Sequence, residues 1–259
     1  MAESVTLEYQ TLGDAQKPAV VLIHGLFGDK DNLKSLARDL QDEYYCIMVD
    51  ARNHGDSPHC AEMTYNLMAA DVLATVDALD VQQFAVVGHS MGGKIAMQLA
   101  MDNPNRVTRA VFADIAPADY DGTHDDILTA LQQVDLQQIS SRSDADKQLA
   151  KSISTQGVRQ FLLKNLRKTD AGYEWRLNIN GLIDQYSGIA GNVTDGQYDG
   201  PVLFIKGGDS NYLTEAHRDA ITQRFSDVDV KVIEGTGHWL HAEKPRIFNR
   251  LVADFLAAD

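Results

Sequence analysis

Ten consecutive residues, Phe84-Ala85-Val86-Val87-Gly88-His89-Ser90-Met91-Gly92-Gly93, constrain this chain more than any others. The four apolar residues predict a short buried strand. They run into Gly-x-Ser-x-Gly, and Lys94 to Met101 behind it is good helix sequence. A glycine-flanked serine between strand and helix is the context that makes this motif a nucleophile elbow. Gly88 and Gly92 remove side chains where strand and helix approach closely. Ser90 then stands at the tip of the turn. The helix N-terminus beneath it offers unpaired N–H groups that suit a developing oxyanion. The plain alternatives are a glycine turn with an N-cap serine, or a phosphate-binding loop. The flanking strand and helix favour the elbow.

The remaining chain supplies a matching rhythm. Val5, Leu7 and Tyr9 alternate with polar residues, as in an exposed first strand. Ala19 to Ile23 is continuously apolar, which predicts a strand buried on both faces; His24-Gly25-Leu26-Phe27-Gly28 follows. Tyr44 to Val49 is the next strand, ending in the turn-rich loop Asp50 to Pro58. Thr64 caps a long helix, and Val107 to Ala113 is another buried strand ending at Asp114. Strand and helix in alternation mean parallel strands with crossover helices. The rhythm breaks from about Ala116 to Tyr198. Helical stretches are expected at Asp125 to Val134, Asp144 to Ser152 and Thr155 to Leu166, with a short extended piece at Tyr173 to Leu177. This is too long for a simple loop and reads as a mostly helical insertion. Strands resume at Pro201 to Lys206 and Val228 to Ile233, with a helix at Thr214 to Phe225 between them; a helix at Pro245 to Leu256 closes the chain.

With 259 residues, 44% of them hydrophobic, one large α/β domain can bury its core without disulfides or metals. Cys46 and Cys60 have no paired-cysteine spacing, which points to a reducing, cytoplasmic setting. The polar start Met1 to Val5 shows no secretory pattern, and no apolar run approaches the ~18 residues of a membrane span. A net charge of -14 argues against nucleic acid as a partner. Zincin spacing, a Gly-x-Gly-x-x-Gly after the first buried strand and a Walker loop are all lacking, so neither metal nor other cofactor is expected.

A serine hydroxyl needs a general base, and the base needs an orienting carboxylate. His238, preceded by Gly235 and Gly237 after the last strand, is the best base. His89 lies inside the elbow and is expected to pack; His24 and His54 sit in loops with other work. Two acids stay open. Asp209 follows a strand in a Gly-Gly-Asp-Ser turn, and Asp114 ends the strand after the elbow unit. An oxyanion hole is expected from the N–H groups of Met91, just after the serine, and Leu26, in the glycine loop. Arg52, Asn53 and His54 are expected to brace that loop.

His24-Gly25-Leu26-Phe27-Gly28, Asp50 to Ser57, Gly88 to Lys94, Asp114-Ile115-Ala116-Pro117 and Gly235 to Trp239 together resemble the α/β-hydrolase superfamily. More narrowly, the set is similar to the bacterial YbfF-type esterases, over nearly the whole chain. The resemblance implies an eight-stranded, mostly parallel sheet flanked by helices. The core would comprise 1–115 and 199–259, with 116–198 a helical lid inserted after the sixth strand. It implies a cofactor-free serine esterase or thioesterase acting on a small acyl ester, with the aspartate of Asp-Ile-Ala-Pro, here Asp114, as acid. Asp209 departs from the asparagine often found at its position and stays the alternative. The same fold also hosts C–C bond hydrolysis, lyase and perhydrolase chemistry, and a small-ligand sensor would use the same pocket. Phe161, Leu162, Leu163 and Leu166 are expected to line the acyl pocket or simply pack. Lys164, Arg167 and Lys168 share a face if helical, as either a solvated surface or a site for the phosphates of an acyl-CoA.

Overall fold

The computed structural model describes residues 3–122 and 124–258. The first half alternates strand and helix. It runs β1 (Tyr9–Leu12), β2 (Ala19–Ile23), α1 (Lys34–Leu40), β3 (Tyr45–Val49), α2 (Tyr65–Asp77), β4 (Phe84–His89), α3 (Met91–Asp102) and β5 (Val107–Ala113). An insertion follows with α4 (Asp125–Gln132), α5 (Arg142–Leu149), α6 (Gln156–Leu162), β6 (Leu166–Thr169), β7 (Gly172–Trp175) and α7 (Ile179–Ala190). The chain then returns through β8 (Tyr198–Gly207), α8 (Arg218–Thr222), β9 (Phe225–Ile233), α9 (Leu240–Glu243) and α10 (Pro245–Leu256).

Seven strands form the main sheet in the order β1-β3-β2-β4-β5-β8-β9, and all neighbours except the β1–β3 pair run parallel. Parallel strands covered on both faces carry continuous apolar runs. Every residue of β2 and β4 is accordingly buried. Two apolar layers result. Val21, Ile23, Val86 and Phe112 pack on one side with α2 and α3, while Val20, Leu22, Val87 and Val111 face α1 and α10 on the other.

The sheet has seven strands where eight were expected. The amides of Val5, Leu7 and Glu8 donate to Asp71 Oδ1, Thr75 Oγ1 and Ser57 Oγ rather than to a neighbouring strand. The stretch is satisfied by side chains, so it adds no ladder, and the first strand begins at Tyr9. The insertion accordingly follows the fifth strand in chain order, not the sixth. It is also less helical than expected. The helix begun at Gln156 ends at Leu162, a 3₁₀ turn covers Leu163–Asn165, and Leu166 opens a two-stranded hairpin. Arg167 therefore faces Glu174 across the hairpin at 2.6 Å, and Lys164, Arg167 and Lys168 do not share a helical face. The expected helix from Thr214 to Phe225 is a 3₁₀ turn plus the short α8, and Phe225 already belongs to β9.

One buried ion pair anchors the loop after β3. Arg52 Nε and Nη2 donate to Asp71 Oδ2 and Oδ1 at 2.6 and 2.7 Å, with both side chains essentially inaccessible. Arg52→Met strands the Asp71 carboxylate in the core and should cost about 3–5 kcal/mol in urea unfolding. Adding Asp71→Leu should restore most of that loss. A single variant within about 1 kcal/mol of wild type would contradict this role.

Candidate active site

The elbow forms because two glycines permit close contact. A Cβ on Gly88 would run into the Gly92 carbonyl, and one on Gly92 into the carbonyls of Ile23 and His24. Ser90 sits between β4 and α3 at φ 54°, ψ −121°. A non-glycine residue there is strained by about 1–3 kcal/mol, which the surrounding packing enforces. Its amide donates to Ala113 O at 3.0 Å, tying the turn to the end of β5. Ser90 is the residue before Met91, and Met91 opens α3, so the Met91 N–H has no acceptor within the helix.

His238 lies in the loop after β9. Its Nε2 accepts from Ser90 Oγ at 2.8 Å, and its Nδ1–H donates to Asp114 Oδ2 at 2.8 Å. Tyr212 stacks on the imidazole with centroids 3.8 Å apart. His89 is not mere packing: its Nε2–H donates to the His238 carbonyl at 2.7 Å and holds the loop backbone.

Asp114 is fully buried at the end of β5, also in the left-handed region at φ 51°. Gly207 N–H donates to its Oδ1 at 2.9 Å, and Ser210 Oγ donates to its Oδ2. Asp209 is exposed, while its amide donates to Thr236 O at 2.9 Å. The Gly-Gly-Asp-Ser turn thus does meet the acid, through Gly207 and Ser210 instead of Asp209. His238 meets Asp114, the acid that the resemblance implied, and the side chain of the alternative, Asp209, stays exposed; the residues alone left both open because neighbouring strand ends are equally plausible until loop lengths decide the approach.

The glycine loop after β2 is held from three sides. Phe27, at φ 64°, donates its N–H to His54 Nε2 at 3.2 Å, and Gly28 N–H donates to Gly25 O at 2.9 Å. Asn165, from the insertion, donates to Phe27 O at 2.7 Å. His24 Nε2 accepts from Ala51 N–H at 3.0 Å, and its Nδ1–H donates to Gly25 O at 2.8 Å. His54 braces the loop as expected. Arg52 and Asn53 do so indirectly: Arg52 anchors to Asp71, and Asn53 Oδ1 accepts from Cys60 N–H and Asn178 Nδ2. Leu26, Met91 and Ser90 border one small cavity. Asn165, Tyr212 and Ser210 carried no sequence signal beyond polarity.

Burial holds the surrounding imidazoles neutral. It lowers His24, pushes His54 down to about 3 and His241 and His124 to about 4, and takes His89 well below the ordinary value; neighbouring His238 adds to the last three. Among the described residues no cluster of His, Cys, Asp or Glu suits a metal ion, and no helix is long and apolar enough to cross a membrane.

The main cavity at Ser90 has a volume of about 220 Å³ and is bordered by His238, Trp239 and, from the insertion, Ile127, Val158, Phe161 and Leu162. Leu163 and Leu166 pack in the core instead. Of the basic residues of the insertion, Lys147 pairs with Asp144, Arg159 with Asp146, and Arg167 with both Asp56 and Glu174, while Lys164 and Lys168 are exposed.

A strained serine between strand and helix, on a parallel sheet with its histidine in the loop after the last strand, defines a class. The alpha/beta hydrolase fold family matches residues 18–138, and the chain belongs to the α/β-hydrolase family. It is 42% identical to Esterase YbfF of Escherichia coli (strain K12) over 238 residues, 92% of each chain. It is 38% identical to the sn-1-specific diacylglycerol lipase of Mus musculus over 97% of this chain and 85% of that one. A solved marine microorganism esterase superposes with a TM-score of 0.94 at 34% identity, over 97% of this chain and all of the other.

Proposed function

We propose that this carboxylic ester hydrolase works through an acyl-enzyme on Ser90, with His238 as base, Asp114 as orienting acid, and the N–H groups of Leu26 and Met91 as oxyanion donors. The observation that carries the reading is the unbroken line from Asp114 Oδ2 through His238 to Ser90 Oγ, with both links at 2.8 Å. Ser90 Oγ bonds to the acyl carbon as its proton passes to His238 Nε2. The tetrahedral oxyanion takes hydrogen bonds from Leu26 and Met91. The C–O bond to the alcohol then breaks, and the same proton goes to the leaving oxygen. Water then attacks the acyl carbon as His238 Nε2 takes its proton; the bond from that carbon to Ser90 Oγ breaks, His238 returns the proton to Ser90 Oγ, and the acid leaves. Asp114 keeps the proton on Nδ1 so that Nε2 stays basic.

Relatives named esterase and diacylglycerol lipase support carboxylic esters as the substrate class. Ile127, Val158, Phe161 and Leu162 border the cavity, which supports residues 116–198 as a lid over Ser90. Arg167 is taken up by Asp56 and Glu174, and Lys164 and Lys168 are exposed without sharing a helical face with it, which favours a solvated surface there over an acyl-CoA phosphate site. Two free thiols, Cys46 and Cys60, support a cytoplasmic location.

Rapid mixing with p-nitrophenyl acetate tests the mechanism. A burst of one p-nitrophenolate per enzyme, followed by slower turnover, is expected where deacylation limits. If no panel ester is turned over by the folded enzyme, the reading is lost in favour of lyase or sensor roles.

A further inference from the structure

Ser90 opens onto two cavities of unequal size. The 220 Å³ space is bordered by His238 and His241 on one side and by Phe161 and Trp239 on the other. A second space of about 40 Å³ lies against the start of α3, bordered by Met91, Ile115, Tyr65, Tyr120 and Ile189. His238 borders the larger cavity and not the smaller.

The proton route distinguishes the two. A leaving oxygen takes its proton from His238 Nε2 and must lie within hydrogen-bond reach of it. The acyl carbon, bonded to Ser90 with its oxygen toward Leu26 and Met91, extends the other way. We propose, on the acyl-enzyme reading above, that the 40 Å³ cavity receives the acyl chain and the 220 Å³ cavity the leaving group. The enzyme is thereby selective for short acyl groups carried on bulky, apolar alcohols.

The size of the small cavity sets the limit. At about 40 Å³ against about 220 Å³ it is much the smaller of the two, which suits a short acyl chain. Part of its lining cannot recede cheaply. Lys94 Nζ stands there, donating to the carbonyls of Ala118, Ala190 and Gly191 at 2.7, 3.3 and 2.6 Å and lying 4.6 Å from the Tyr120 ring centre. Tyr65 OH donates to Ile189 O at 2.6 Å in the same lining. A longer chain would have to pull a buried ammonium from three carbonyls or break that hydroxyl bond. Trp239, which borders the larger cavity, is 38% exposed.

A p-nitrophenyl ester series from acetate to decanoate, measured as kcat/KM, tests the assignment in wild type, Ile189→Ala, Ile189→Val and Phe161→Ala. Wild type should fall about 30-fold or more from butyrate to octanoate, a misfit methylene being worth about tenfold or more. Ile189→Ala should shrink that gap by about tenfold; Ile189→Val, the milder change, should move it in the same direction if the alanine variant folds poorly. Phe161→Ala should leave the acyl profile unchanged and weaken the preference for 2-naphthyl over methyl acetate. A wild-type optimum at octanoate or longer, shifted by Phe161→Ala and not at Ile189, overturns the cavity assignment even when a phosphonate still labels Ser90. No ester turnover and no labelling of Ser90 overturns the acyl-enzyme reading along with it.

Discussion

Ser90→Ala should lower kcat on p-nitrophenyl esters by about 10⁶-fold while leaving the unfolding curve unchanged. Nothing else at the site can replace the missing oxygen. His238 Nε2 lies 2.8 Å from Ser90 Oγ, so in the variant it faces a methyl group and whatever water enters. The oxyanion donors belong to the backbone and survive the change, which leaves the slow background that such a site supports alone. Alanine keeps the Cβ, so the elbow at φ 54° is no more strained than before. A variant retaining a tenth of wild-type activity would remove Ser90 from the mechanism.

Asp114→Asn should cost about 10⁴-fold in kcat, and Asp209→Asn should stay within about twofold. Asp114 accepts from three donors: Gly207 N–H on one oxygen, and His238 Nδ1–H with Ser210 Oγ on the other. An amide has a single accepting oxygen. If it serves Gly207, its NH₂ faces His238 and forces the proton onto Nε2, where it blocks the base. If it serves His238, a buried donor confronts the Gly207 N–H, and that conflict is costly. Asp209 is exposed and outside this network. Measuring kcat at saturating ester from pH 6 to 9 separates the two acids. The assignment fails if Asp209→Asn loses 100-fold or more while Asp114→Asn stays within about tenfold.

Much of this site could be read from residues alone, for reasons that are local. Ser90 was legible because strand, glycine spacing and helix all lie within one short stretch. His238 was legible because it follows the last strand and two closely spaced glycines, Gly235 and Gly237. The choice of acid was not, since it depends on how the loops after β5 and β8 approach each other, and two aspartates end adjacent strands. The extended piece at Tyr173 to Leu177 overlaps the hairpin's second strand, but the first, Leu166–Thr169, escaped because its charges also fit a helix period. Its cross-strand pair of Arg167 with Glu174 appears only once the chain has turned at Gly172, whose φ is 127°. Val5 to Glu8 alternates as a strand does, yet it forms none, because the partners of its amides are side chains some 49 to 68 residues away, which no local pattern announces.

The most direct test is acid quenching of the enzyme during turnover of p-nitrophenyl acetate, followed by mass spectrometry of the intact chain and its peptides. The account predicts one added acetyl group on the peptide carrying Ser90, absent from Ser90→Ala. Full turnover with the acetyl group on another residue would contradict it.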